Sequence, residues 1–164
     1  MKTRTVVQLL CLVVILTAAP SSASAQARPP KTVVPTELST VATEVRQMLA
    51  EYFKTVERHE LSKFLALFAE GEDLTVFEDK EMYDWKAFVA FAEGFFQQVA
   101  EITFDLEKCT VNPLSPRVAV ATGVFRGTGR SSAGEPVVVH NAYTFVLVKQ
   151  DGRWRIKHVH ESSL

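Results

Sequence analysis

Apolar residues recur every three or four positions in three stretches of the chain, which predicts three helices. The first has about five turns, ends near Arg58-His59 and carries Leu38, Val41, Val45, Met48, Leu49, Tyr52, Phe53 and Val56. The second is shorter and carries Leu61, Phe64, Leu65 and Phe68. The third lies in YDWKAFVAFAEGFFQQV, with Asp84 as its expected N-cap. It holds more aromatic residues than one stripe needs, so some could line a cavity, although core packing is the favoured interpretation.

After the third helical stretch the pattern changes to four β segments, at residues 102–111, 118–126, 136–149 and 153–160. A brief strand at residues 74–78 precedes that helix. Helices followed by an antiparallel meander predict an α+β domain. We expect the sheet to wrap around the helix layer and enclose a cavity. The sequence has no Gly-rich phosphate loop, which argues against a dinucleotide-binding fold.

The first 25 residues have the pattern of a signal peptide rather than of a folded domain. Lys2 and Arg4 precede an apolar run at residues 6–18, and Ala23-Ser24-Ala25 fits a cleavage site. We therefore predict a signal peptide at residues 1–25, a flexible linker at 26–36 and one folded domain at 37–164. The expected location is periplasmic or secreted, without membrane attachment after cleavage.

Charge and cysteine content narrow the possible functions of the exported part. Residues 26–164 carry 16 Lys and Arg against 19 Asp and Glu, a net charge of −3. This mildly acidic surface gives no basic stripe for nucleic acid. Cys109 is the one cysteine beyond the predicted cleavage site, so no intramolecular disulfide can form, and a buried, inert thiol is expected.

Asp151-Gly152 is the strongest hairpin signal in the chain. A two-residue type I′ turn would place Lys149 opposite Trp154, Leu147 opposite Ile156, Phe145 opposite His158 and Tyr143 opposite His160. One face of the hairpin would then grade from apolar near the turn to aromatic and polar at its far end. This gradient fits a binding pocket, and it fits equally a strand that emerges into solvent. The same register puts His140 on the other face. Because a zinc site needs three or four converging ligands, no metal site is predicted.

Two segments carry a resemblance to a known superfamily. They are AEYFKTVERHELSKFLALFAEGEDLTVFED and the closing TFVLVKQDGRWRIKHVHESS, whose pattern is Asp-Gly-x-Trp-x-x-x-His-x-His-x-Ser. Over about residues 38 to 162 the chain resembles the SnoaL-like group of the nuclear-transport-factor-2-like (cystatin-like cone) superfamily. It is most similar there to the association domain of calcium/calmodulin-dependent protein kinase. The resemblance implies a cone-shaped, curved antiparallel sheet wrapped around three N-terminal helices, with one open internal pocket. It also implies dimerisation through the sheet.

The resemblance also suggests site residues, because ketosteroid-isomerase-like members use a tyrosine, a carboxylate base and a second hydrogen-bond donor. By position Tyr52 matches the tyrosine, Glu78 or Asp79 the base, and Asn141 the second donor, with His158 or His160 as alternative bases. Association domains line their pocket with arginines, and Phe145 replaces one of them here, which favours an apolar ligand. Each residue also has an ordinary structural explanation: Tyr52 as core, the acids as a solvated turn, and Asn141 as a partner for backbone groups.

We therefore expect an exported, homodimeric domain that binds a small, largely apolar molecule without a cofactor. The predicted ligand contacts are Tyr52, Trp85, Tyr143, Phe145, His158 and His160. Two alternatives stay open at this point. One is a cofactor-independent isomerase, cyclase or dehydratase that uses Glu78 or Asp79 with Tyr52 and Asn141. The other is a pure oligomerisation module.

Overall fold

Three helices form in the first part of the domain, as their apolar periodicity predicts. In the computed structural model, which describes residues 35–71 and 73–164, they are α1 (Pro35–Glu57), α2 (Leu61–Leu65) and α3 (Trp85–Gln98). Asp84 caps α3, because its carboxylate accepts the Ala87 N–H at 2.8 Å. Helix α1 begins two residues before the predicted start of the domain. None of the helices in these residues is long and apolar enough to cross a bilayer.

The other layer is a six-stranded sheet in the order β2-β1-β6-β5-β4-β3. The strands are β1 (Thr75–Glu78), β2 (Glu81–Tyr83), β3 (Val99–Ser115), β4 (Val118–Ser131), β5 (Pro136–Gln150) and β6 (Arg153–Ser163). Neighbouring strands are antiparallel except β1 and β6, which are parallel. The sheet is curved and open, so the predicted α+β cone is confirmed. The sequence pattern missed β2, because three residues of a short edge hairpin carry no periodic signal.

The hairpin between β5 and β6 has the predicted turn but only part of the predicted register. Asp151 and Gly152 both have positive φ, at 48° and 77°, as a type I′ turn requires. Pairing follows the prediction from Gln150 opposite Arg153 to Leu147 opposite Ile156, and then shifts by one residue.

This shift is a β-bulge at Lys157, and beyond it every β6 side chain changes face. Val146 lies opposite His158, Thr144 opposite His160 and Tyr143 opposite Glu161. The predicted pairs Phe145–His158 and Tyr143–His160 are therefore wrong, because a two-residue turn sets the register only as far as the first bulge.

The core lies between the apolar stripe of α1 and the concave face of the sheet. Helix α1 contributes Val41, Val45, Leu49, Phe53 and Val56, and the sheet contributes residues such as Phe145, Leu147 and Ile156. Burial of one such side chain is worth about 1.5–3 kcal/mol. Near the β5–β6 turn, the Glu44 carboxylate accepts hydrogen bonds from Trp154 Nε1 at 2.7 Å and Lys149 Nζ at 2.6 Å. These bonds tie α1 to the apolar end of the hairpin.

Gly123 on β4 is required by close packing. A Cβ at this position would lie 2.6 Å from both Cζ and Oη of Tyr143 and would also overlap the Lys108 carbonyl oxygen. The missing side chain lets the Tyr143 ring lie across β4, with its hydroxyl buried.

We therefore predict that Gly123→Ala lowers the free energy of unfolding by about 2–4 kcal/mol, because neither obstacle is a flexible side-chain end. The measurement is urea denaturation followed by circular dichroism. Gly94→Ala is the matched control, since a Cβ there meets nothing within 4 Å and alanine favours the helix by about 0.5–1 kcal/mol. Equal stability of the two variants would contradict this account of Gly123.

Candidate functional site

A cavity of about 300 Å³ lies between α1, α2, α3 and the concave face of the sheet. Its walls are mostly phenyl rings, and these come from Phe53, Phe64, Phe68, Phe88, Phe91, Phe95, Phe96, Phe104 and Phe125. Four of the described lining residues have polar side-chain atoms, namely Tyr52, Glu78, Asn141 and Glu161. An apolar chamber with a few convergent polar groups is the usual form of a small-molecule site.

Glu78 and Glu161 are far apart in the sequence but lie on neighbouring strands. They are directly opposed residues of the parallel pair β1 and β6, so both side chains are on the concave face. Glu161 is only 6% exposed. The bulge at Lys157 is what turns Glu161 toward the cavity, because an unbroken β6 would present the opposite set of side chains.

Two neutral side chains donate hydrogen bonds to the carboxyl pair. The Tyr52 hydroxyl on α1 donates to Glu161 Oε1 at 3.3 Å, and Asn141 Nδ2 on β5 donates to Glu78 Oε1 at 3.4 Å. Burial, and then the charges of Glu161 and Glu78, raise the pKa of Tyr52 well above its ordinary value. Tyr52 is therefore a neutral donor at every physiological pH.

The carboxyl pair retains a proton at neutral pH. Burial first, and then the charge on Glu78, raise the pKa of Glu161 to about 8. Burial and the charge on Asp79 also raise the pKa of Glu78, while a hydrogen bond with Glu161 opposes that rise. Because two adjacent buried carboxyls ionise together only at high cost, the pair holds one proton and one negative charge near pH 7. Such a pair can act as both an acid and a base.

Three of the residues predicted to be catalytic lie together at this cavity: Tyr52, Glu78 and Asn141. Asp79 does not join them, although it follows Glu78 directly. Its exposed carboxylate accepts hydrogen bonds from the Ser163 N–H at 2.7 Å and the Ser163 hydroxyl at 3.0 Å, and these bonds lower its pKa. Of the two acids that the sequence left as alternatives for the base, Glu78 is the one at the cavity wall.

Some of the predicted ligand contacts line the cavity and others do not. Tyr52 lines the cavity, whereas Tyr143 and Phe145 are buried in the core and Trp85 packs on Phe88 with ring centroids 6.4 Å apart. None of these last three is among the described lining residues.

His158 and His160 lie on the convex face of the sheet, beside Phe77, with ring centroids 6.1 and 5.9 Å from its own. The expectation that they face the pocket fails because it assumed an unbroken hairpin register. Burial and then the charge of His160 lower the pKa of His158. Within residues 35–71 and 73–164 there is no group of three or more His, Cys, Asp or Glu side chains that could hold a metal ion.

Sequence reasoning missed Glu161, the most deeply buried acid of the cavity. The available signal was the alternation Val159-His160-Glu161, in which an apolar residue and an acid share one face. That alternation identifies the shared face but not its direction, which depends on whether β6 contains an extra residue.

Comparisons with known proteins agree with this architecture. A proposed calcium/calmodulin dependent protein kinase II association domain from Xanthomonas campestris is 24% identical, with a TM-score of 0.65 over 74% of this chain and 86% of that one. A proposed scytalone dehydratase from Novosphingobium aromaticivorans is 16% identical, with a TM-score of 0.73 over 80% and 89%. A nuclear transport factor 2-like protein from Salmonella enterica is 20% identical, with a TM-score of 0.67 over 76% and 92%. Because these sequence identities are all below 25%, the similarity shows a shared fold.

A search of the curated proteins found no match to this chain. The sequence profile of the SnoaL-like domain, in contrast, matches residues 45–164, which include most of α1 and every later element. The chain therefore belongs to the SnoaL-like domain family.

Proposed function

We propose that this protein binds a small, largely apolar molecule in the phenylalanine-lined cavity and transfers a proton on it with the Glu78–Glu161 pair. The observation that carries the proposal is a pair of adjacent carboxyls, one of them buried, in the wall of an otherwise apolar cavity. A carboxyl with a pKa near the working pH is an efficient general acid or base. No step of this chemistry requires a cofactor.

The two carboxyls have different roles in this proposal. Glu161, with the higher pKa, holds the shared proton and donates it, or a hydrogen bond, to an oxygen of the bound molecule. Glu78 accepts a proton from a neighbouring carbon, and the electron pair of that C–H bond forms the new double bond. With a ketone, the C=O π electrons move onto the oxygen, which keeps the proton from Glu161, and the product is an enol. An isomer forms when Glu78 returns its proton to a different carbon of a conjugated enol and the oxygen gives its proton back to Glu161. With an alcohol, the C–O bond breaks with its electron pair, the protonated oxygen leaves as water, and the reaction is a dehydration.

Tyr52 and Asn141 support this division of roles. Tyr52 donates to Glu161 and can turn its hydroxyl toward negative charge that develops on the bound molecule. Asn141 stabilises the ionised form of Glu78 through its amide N–H. The proposed scytalone dehydratase among the structural neighbours supports the dehydration form of this reaction. A signal peptide, export and a homodimer stay predictions from the sequence, since they concern residues 1–25 or a second chain.

Exchange of carbon-bound protons with D₂O tests the proposed function directly. We expect the wild-type protein to accelerate exchange at the acidic C–H positions of 2-tetralone and 2-indanone, followed by proton NMR. Glu78→Gln keeps the shape of the side chain but cannot accept the proton, so the catalysed rate should fall at least ~100-fold.

His158→Ala is the matched control, because its side chain lies outside the cavity. We expect it to retain the wild-type exchange rate within about twofold. A wild-type rate no faster than that of Glu78→Gln, with both ketones, would contradict the proposed proton transfer.

Stability against pH tests the raised pKa of Glu161. The unfolded chain loses this proton near the ordinary glutamate pKa of about 4.3, whereas the folded chain keeps it up to about pH 8. Between these values the folded state binds more protons, so its free energy of unfolding falls as pH rises, by up to about 1.4 kcal/mol per pH unit.

Glu161→Gln should remove most of this decline, because glutamine does not titrate. The measurement is urea denaturation of both proteins at pH 5, 6, 7 and 8, and the difference between them separates the titration of the carboxyl pair from that of the other groups. A constant difference across this range would show that the pKa of Glu161 is not raised.

A further inference from the structure

The cavity carries a negative charge for which its lining offers no cation. Among the described lining residues the ionisable groups are Tyr52, Glu78 and Glu161, and there is no Lys, Arg or His. Tyr52 stays neutral, so the charge near pH 7 is the one on the carboxyl pair. Two hydrogen bonds stabilise that charge in part. Buried charges in proteins are normally paired with an opposite charge. The negative charge of the carboxyl pair has no such counter-ion among the described lining residues.

The aromatic walls of the cavity also favour a positively charged ligand. Rings from α1, α2, α3, β3 and β4 surround the space, and the face of a phenyl ring is the negative end of its quadrupole. A cation that approaches such a face is attracted, by about 0.5–1 kcal/mol at exposed sites and by more where water is excluded. An anion would instead be repelled by the charge of the carboxyl pair.

We propose that the molecule bound here carries a protonated amine that pairs with Glu78 and Glu161 while its hydrocarbon part fills the space between the phenyl rings. The ligand class is therefore a lipophilic organic cation of about one or two fused rings, which suits a cavity of about 300 Å³. This inference names the ligand class of the site described above and rests on the binding part of the proposed function.

A negatively charged or a neutral ligand fits the site less well than a cation. A carboxylate would bring a second negative charge into a space where two carboxyls already share one proton. A neutral alcohol can hydrogen-bond to the pair but leaves its charge without a counter-ion. A protonated amine supplies that counter-ion and also donates hydrogen bonds to the carboxylate oxygens.

Three naphthalene probes of nearly equal size separate these cases by charge. 2-Naphthylmethylamine is a cation at pH 7, 2-naphthylmethanol is neutral and 2-naphthoate is an anion. We expect isothermal titration calorimetry with the wild-type protein to show the amine binding at least tenfold more tightly than the alcohol, a difference of about 1.4 kcal/mol. The naphthoate should bind more weakly than either.

The double variant Glu78→Gln/Glu161→Gln keeps the size of both side chains and removes the charge. We expect its preference for the amine over the alcohol to fall below about twofold, while its affinity for the alcohol changes little. Asp79→Asn is the matched control, because it removes an adjacent carboxylate that lies outside the cavity, and it should keep the preference. Equal stability of these proteins in urea would exclude loss of folding as the cause.

Several results would overturn the inference: no binding of the amine, an alcohol that binds at least as tightly as the amine, or a preference that persists in the double glutamine variant. Failure of the proposed catalysis would look different. The amine would then bind through the carboxyl pair as expected, while the ketones would show no exchange that depends on Glu78.

Discussion

One extra residue in β6 decides which chemical groups face the cavity. The bulge at Lys157 lets the strand start from a tight turn with Trp154 and Ile156 in the core and still finish with Glu161 on the concave face. Without it, the concave face at the far end of the hairpin would carry two histidines in place of Val159 and Glu161. Bulges bend a strand and redirect its side chains, and this one does both where the sheet curves around the helices.

The buried carboxyl pair opposes folding, and the surrounding elements make it tolerable. A carboxylate in an apolar space loses its hydration, so the protein retains a proton on the pair and provides a donor from α1 and another from β5. Native proteins store such unfavourable arrangements mainly at functional sites, where the rest of the fold compensates for them. Here the compensation comes from the aromatic core of α1 and the apolar end of the hairpin.

The row of residues that crosses the sheet at Glu161 connects the site with the rest of the core. It runs from Glu78 through Glu161, Tyr143 and Gly123 to Cys109, each opposite its neighbour on the next strand. Because Gly123 has no side chain, the Tyr143 ring occupies the space above β4 and stays out of the cavity. The polar groups at one end of this row face the cavity, whereas those at the other end are packing elements.

The helices, the strand-rich second half and the turn at Asp151-Gly152 could be predicted from the sequence, because these depend on short-range periodicity and on turn chemistry. A family resemblance also indicated Tyr52, Glu78 and Asn141. The folded structure was needed to show that Glu161 joins them, that Asp79 faces away and that both histidines lie outside the cavity. Those outcomes depend on a one-residue bulge and on a parallel pairing between strands far apart in the chain, and neither leaves a local signal in the sequence.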